Sequence, residues 1–239
     1  MNIAIVFSGG TGQRMNTKTV PKQFLQLHGK PILIYTLELF QQAPSIDAIV
    51  LVMLESWIPY TDDLIDRYKI TKIKAVVPGG KTGQESIFNG VCKAHELFPE
   101  DSVLLIHDGV RPLVDVDTIE ACIKCVKEWG NAITVYPATE TVALISDNGD
   151  VGKILPRTSC QMAKAPQCFK LDEFYRAHLT ARKEGKNDFI DSASLMQHYG
   201  HFLHTVIGPA ENIKITTPSD FYIFRAIEDA RENSQIFGF

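Results

Sequence analysis

An α/β fold with a mostly parallel central sheet is predicted by three features of the sequence. Short apolar runs alternate with amphipathic segments. The apolar runs are continuous, as expected of strands covered by helices on both faces, which makes a three-layer, Rossmann-like arrangement. Three of these runs end in glycine-rich or charged loops, where open parallel sheets collect their ligands. The 239 residues, 45% apolar and 22% charged, suit one domain spanning 1–239 and exclude a disordered, collagen-like or disulfide-scaffold chain.

Residues 2–7 (NIAIVF) read as a buried strand that runs straight into Ser8-Gly9-Gly10-Thr11-Gly12. Residues 31–42 read as a helix, because proline at the first helical position gives up no hydrogen bond and Leu33, Leu37 and Phe40 share a side. A strand at 49–54, a helix at 59–68 and a strand at 73–77 follow, the last ending in Pro78-Gly79-Gly80. A helix at 85–97, a buried strand at 102–106 and a helix over IEACIKCVKEW continue the series. The stretch 139–157 breaks it: TVALI and VGKIL flank Asn148-Gly149, a strong hairpin signal, so a projecting β-hairpin arm is expected. Helices at 171–184 and 192–199, a strand at 202–207 and a brief strand-like stretch at 212–216 lead to the last helix. There Thr217 caps, Pro218 takes the first position and Asp220 returns a bond.

The net charge of −4 provides no general field for nucleic acid or an anionic membrane. Locally, Arg14, Lys18, Lys22 and Lys30 occur between residues 10 and 30 without an acidic neighbour, which suits a small polyanion. No apolar run reaches the length of a membrane span, so no membrane insertion is expected. Cys92, Cys122, Cys125, Cys160 and Cys168 show no scaffold spacing, and Cys122 and Cys125 read as ordinary helix residues; a reducing, cytoplasmic setting is the expectation.

Ser8-Gly9-Gly10-Thr11-Gly12-Gln13-Arg14 lacks the Gly-Lys-Ser/Thr ending of a Walker loop, and Met15 stands where a dinucleotide fingerprint needs its third glycine. What remains is a bend whose bare amides can cradle phosphate, with Arg14 adding a planar cationic fork and Lys22 a flexible point charge. Asp108 and Arg111, in HDGVRP, follow a buried strand; Asp108 is a fitting oxygen ligand for Mg²⁺, with a helix cap or a partner for Arg111 as the plainer alternative. His107 reads as structural. Gly79, Gly80 and Ser86 form a second glycine-rich connection able to bracket a base, or simply to cap a helix. Lys214, Arg157, Asp188 and Asp191 carry no intrinsic catalytic signal, and His201 and His204 would point to opposite faces of a strand.

Taken together, SGGTGQRM, PKQF, the 79–86 loop, HDGVRP and NIKITTPSD make the sequence resemble the cytidylyltransferases that form CDP-methylerythritol or CDP-ribitol, from residue 4 to about 226. The resemblance implies a nucleotidyltransferase fold, CTP as substrate and Mg²⁺ as cofactor. It implies that Arg14, Lys22 and Lys214 act at the reacting phosphate, and that Ser8, Gly9, Gly10, Thr11, Gly12, Gly79, Gly80, Ser86 and Asp108 bind the nucleotide, Asp108 also holding the metal. Arg111, Thr141, Arg157 and Asp191 would bind the polyol phosphate. The arm would interlock a homodimer and bring Thr141 and Arg157 to the other subunit's site. Gly83 stands where the family often has arginine, and Ala165 where threonine is common. The Ser8–Gly12 stretch and Trp57 are nearer the ribitol branch, so ribitol 5-phosphate is the expected acceptor and methylerythritol 4-phosphate the alternative. A nucleotide-binding module without turnover and a nicotinamide oxidoreductase are weaker readings.

Overall fold

In the computed structural model, which describes residues 1–9 and 20–237, eleven strands and seven α-helices follow the expected alternation. They are β1 (Asn2–Ser8), β2 (Gln26–Leu27), β3 (Lys30–Pro31), α1 (Ile32–Gln42), β4 (Ala48–Met53), α2 (Ile58–Arg67), β5 (Ile73–Pro78), α3 (Gly83–Leu97) and β6 (Val103–Asp108). Then come α4 (Val116–Trp129), β7 (Asn131–Pro137), β8 (Val142–Ile145), β9 (Val151–Leu155), β10 (Gln161–Lys170), α5 (Leu171–Lys183), α6 (Ser192–His198), β11 (Thr205–Ile207) and α7 (Pro218–Phe237). Seven strands form one sheet in the order β11-β7-β10-β6-β1-β4-β5, and only β10 runs against the others.

The buried strands still obey the two-residue alternation of a pleated sheet. Ala4 and Val6 face Leu33, Leu37 and Phe40 of α1 and Ile119, Ile123 and Val126 of α4. Ile3 and Ile5 face Ile87 and Val91 of α3, Phe174 and Ala177 of α5, and Leu195 of α6. Each face is thus covered by its own helices, giving the three layers. A smaller cluster docks Phe224 of α7 onto Ile32, Val110 and Ile215.

The hairpin arm is a separate two-stranded sheet, β8 paired with β9. Its turn closes through the Ser146 amide bonded to the Asp150 carbonyl at 2.9 Å, with Gly149 at φ +86°, where a side chain is disfavoured. Leu144, Ile145, Val151 and Ile154 on the arm are all exposed.

Several stretches differ from expectation. β2, β3, β7 and β10 were not foreseen, β10 because Pro166 interrupts its run. The strand expected at 202–207 is reduced to Thr205–Ile207, since the Asn131 side chain takes the Phe202 carbonyl at 2.8 Å and the His204 amide at 2.9 Å in place of a ladder. Residues 212–216 are not a strand. α7 starts as read: Thr217 Oγ1 accepts from the Asp220 amide at 3.4 Å, and the Asp220 carboxylate accepts from the Thr217 amide at 2.7 Å. Among the described residues no helix is long and apolar enough to cross a membrane.

Candidate active site

Register places the loops. Phe7 of β1 pairs with Val52 and Asp108, and Met53 pairs with Pro78, so four parallel strands release the chain at one edge of the sheet. There β1 has β4 on one side and β6 on the other, the switch point where such sheets open a crevice. The first two loops touch because they are bare: a side-chain carbon on Gly9 would sit 2.9 Å from Ser86 Oγ, and one on Gly79 would sit 3.2 Å from the Gly9 Cα. Ser86 Oγ accepts from the Gly80 amide at 3.0 Å and donates to the Thr82 carbonyl at 2.9 Å, pinning the loop over the start of α3. Thr82 itself caps α3 by accepting from the Glu85 amide. Gly9, Gly79, Gly80 and Ser86 therefore meet, while the Ser8 hydroxyl lies against Gly109 of the third loop. Gly10, Thr11, Gly12 and Arg14 lie outside the described residues.

The third loop carries charge. Asp108 ends β6 buried, with Lys214 Nζ at 2.6 Å from one carboxylate oxygen and Arg111 Nε at 3.2 Å from the other. Burial pushes the Asp108 pKa up, but Lys214 and then Arg111 outweigh it and hold the carboxyl down at about 2. His107 Nε2 donates to the Arg111 carbonyl at 3.0 Å; burial lowers its pKa to about 4, so the ring is neutral and structural.

Backbone contacts, rather than a ladder, organise residues 212–216 around this pair. Arg111 Nη1 donates to the Asn212 carbonyl at 2.7 Å, and the Asn212 side chain donates to the Ala165 carbonyl at 2.7 Å. The Ile215 amide donates to the Val110 carbonyl at 2.8 Å, and Lys22 Nζ donates to the Ile215 carbonyl at 3.0 Å. Lys22 is set by its neighbours: Gln23 Nε2 donates to the Ser8 carbonyl at 2.8 Å, and Phe24 stacks on Trp57 at 4.8 Å. Lys22, Asp108, Arg111 and Lys214, far apart in sequence, thus belong to one connected assembly.

A cavity of about 450 Å³ opens beside it, with Phe7, Asp108, Arg111, Lys164, Asp191 and Lys214 in its wall. Gly83 and Ala165, the two departures noted in the sequence, also line it. Asp191 faces this cavity with both oxygens engaged, one accepting from the Ser194 amide as the α6 cap and the other from Gln167 Nε2, each at 2.8 Å. Thr141 and Arg157 are exposed on the arm and do not line the cavity of their own chain; Arg157 donates to the Thr139 carbonyl at 3.2 Å.

Sequence reasoning missed Lys164, Gln167 and His178 of this wall. His178 is buried on α5 among Phe88 and Phe174, with neither ring nitrogen bonded among the described residues. On an amphipathic helix its spacing is that of a core residue, which left no signal. Lys164 stands one residue before Ala165, and only β10, itself unforeseen, reveals which way it faces.

The arrangement suits phosphoryl chemistry: amide-rich loops at strand ends, a buried carboxylate and several cations around one opening. Comparison with known proteins agrees. The family model described as "IspD: 2-C-methyl-D-erythritol 4-phosphate cytidylyltransferase" matches residues 2–229. The Ribitol-5-phosphate cytidylyltransferase of Vibrio parahaemolyticus serotype O3:K6 is 52% identical over 239 residues, covering 100% of both chains. The 2-C-methyl-D-erythritol 4-phosphate cytidylyltransferase of Clostridium acetobutylicum is 37% identical over 223 residues, 93% of this chain and 95% of its own. The crystal structure of 4-diphosphocytidyl-2C-methyl-D-erythritol synthase from Anaerococcus prevotii DSM 20548 superposes with a TM-score of 0.82 at 25% identity, covering 95% of this chain and 96% of that one. The chain belongs to the IspD family of cytidylyltransferases.

Proposed function

We propose that the protein transfers the cytidylyl group of CTP to D-ribitol 5-phosphate, giving CDP-ribitol and pyrophosphate. The observation that carries the acceptor is the full-length relative at half identity, named for ribitol 5-phosphate, set against a clearly lower identity to the one named for methylerythritol 4-phosphate. The family description and the superposed structure keep methylerythritol 4-phosphate as the second reading.

An acceptor phosphate is already a nucleophile, so no protein base is needed. Its oxygen bonds to the α-phosphorus of CTP while the bond from that phosphorus to the β-phosphate oxygen breaks, and pyrophosphate leaves with the electron pair. The work left to the protein is to bring two anions together and to stabilise charge on the non-bridging oxygens. Lys22 and Lys214, with Arg14, take that role in this reading; the loops of Ser8, Gly9, Gly79, Gly80 and Ser86 hold the nucleotide. Arg111 and Asp191 face the acceptor.

Mg²⁺ fits the site as well. Asp108 is ionised at any physiological pH and offers hard carboxylate oxygens, the ligand type magnesium takes alongside phosphate and water oxygens. When bound, the ion neutralises and orients the triphosphate. The exposed apolar side chains of the arm support a second copy of the chain as its cover, with Thr141 and Arg157 delivered to that copy's cavity. Pyrophosphate release tests the reading: CTP with ribitol 5-phosphate gives turnover, and methylerythritol 4-phosphate gives at most a few per cent of it. Preference for methylerythritol 4-phosphate overturns the acceptor, and no release with either overturns the reaction.

A further inference from the structure

Among the described residues the side-chain cations in the cavity wall are Arg111, Lys164 and Lys214. Two of them are committed, since Arg111 and Lys214 each hold an oxygen of Asp108. Lys164, on β10, is different. Its Nζ donates to two neutral acceptors, the Ala210 carbonyl at 2.8 Å and the Pro209 carbonyl at 3.2 Å, and lies 5.0 Å from the centre of the Tyr136 ring. An ammonium has three protons, so one remains beyond these two bonds. Among the described residues no carboxylate oxygen pairs with it.

The electrostatics point the same way. Burial lowers the pKa of Lys164, the charge of Arg111 lowers it further, and Glu211 pulls in the other direction. Lys164 and Arg111 are like charges sharing one wall, and their repulsion is relieved by an anion that touches both. The wall sets Arg111, Lys164 and Lys214 against Asp108, Asp188 and Asp191, so its positive charge is local to the side where Lys164 and Arg111 stand, which suits a single phosphate group there. The other carboxylates of the wall, Asp188 and Asp191, come from the chain around the start of α6, and neither is among the charges acting on Lys164. The cavity therefore has a cationic side and a side rich in hydrogen-bond acceptors, which is the polarity of a phosphorylated polyol.

We infer that Lys164 is an acceptor-binding residue: its ammonium, beside Arg111, holds the phosphate of the polyol phosphate and selects phosphorylated over unphosphorylated polyols. This rests on the proposed reaction and adds to it a residue that belongs to the acceptor and not to CTP. The discriminating variant is Lys164→Gln, which keeps a polar donor on a side chain one carbon shorter but carries no charge; Lys164→Arg keeps the charge. Steady-state kinetics are run with whichever of the two polyol phosphates wild type converts, so failure of ribitol 5-phosphate strikes the proposed acceptor and leaves Lys164 to be judged on the other. The expected result for Lys164→Gln is a rise in the acceptor KM of about 10-fold or more, with the CTP KM within about 2-fold and an unchanged melting temperature. Lys164→Arg recovers most of the loss. An acceptor KM within about 2-fold of wild type overturns the inference, as does an equal rise in both KM values or a fall in kcat alone, the pattern of a residue that merely anchors the chain leading to Lys214.

Discussion

Replacing Asp108 by asparagine removes the one charge that holds Lys214 and Arg111 together. The carboxyl stands at about 2 instead of 3.8, a preference for the ionised form on the order of 2–3 kcal/mol. Lys214 is 40% exposed, so solvent screening trims its share. Arg111 is buried, however, and loses its counter-charge, which on its own costs up to about 3–5 kcal/mol. A net loss of about 2–4 kcal/mol follows, measured by urea denaturation at pH 7. The sign with pH is fixed: a depressed carboxyl stabilises above its unfolded pKa of 3.8 and gives that up as pH falls through about 2, so only wild type loses this contribution on acidification. Turnover with CTP and polyol phosphate falls by at least about 100-fold, since the ligand proposed for the metal and the anchor of Lys214 go together. A variant destabilised as stated yet turning over within about 3-fold of wild type would falsify the nucleotide role and leave a structural ion cluster. A variant unchanged in both respects would refute the electrostatics.

Ser86→Ala removes the acceptor of the Gly80 amide and the donor to Thr82, so the CTP KM rises about 10-fold at a stability cost near 1 kcal/mol, while the acceptor KM stays put; kinetics against each substrate check this. His107 and His178 are both lowered to about 4 by burial, so each stabilises the protein above pH 6.5 and loses roughly 3 kcal/mol as pH falls to 4. His178→Phe therefore flattens the stability profile across that window, read by denaturation at several pH values; an unaltered slope means the ring is not the group responsible. Ile154→Asp, placing charge on the exposed apolar arm, shifts the sedimenting mass from two chains to one, and a wild-type protein already sedimenting as one chain removes the arm as a dimer element.

Much of this was legible because the chemistry sits where strand signals end. NIAIVF announces β1 and the loop after it, and VLLIHD announces β6 and Asp108. Both strands are buried on both faces, and such strands are written in unbroken apolar residues. β10 was hidden by Pro166 within its run, and with it went Lys164 and Gln167, whose orientation depends on the strand. Residues 212–216 carry alternation but pair with nothing: the Ile215 amide spends itself on Val110 and the Asn212 groups on Arg111 and Ala165, contacts no local pattern encodes. His178 wears the spacing of a core residue, and only its two unbonded nitrogens in a cavity wall mark it out.

The route of one oxygen atom reports most directly on the proposed centre. Ribitol 5-phosphate carrying ¹⁸O in its phosphate is incubated with CTP and Mg²⁺, and the diphosphate product is read by ³¹P NMR. The account predicts label in the bridge between the two phosphorus atoms and none in the released pyrophosphate. Label in the pyrophosphate, or an unlabelled bridge, contradicts attack by the acceptor phosphate on the α-phosphorus.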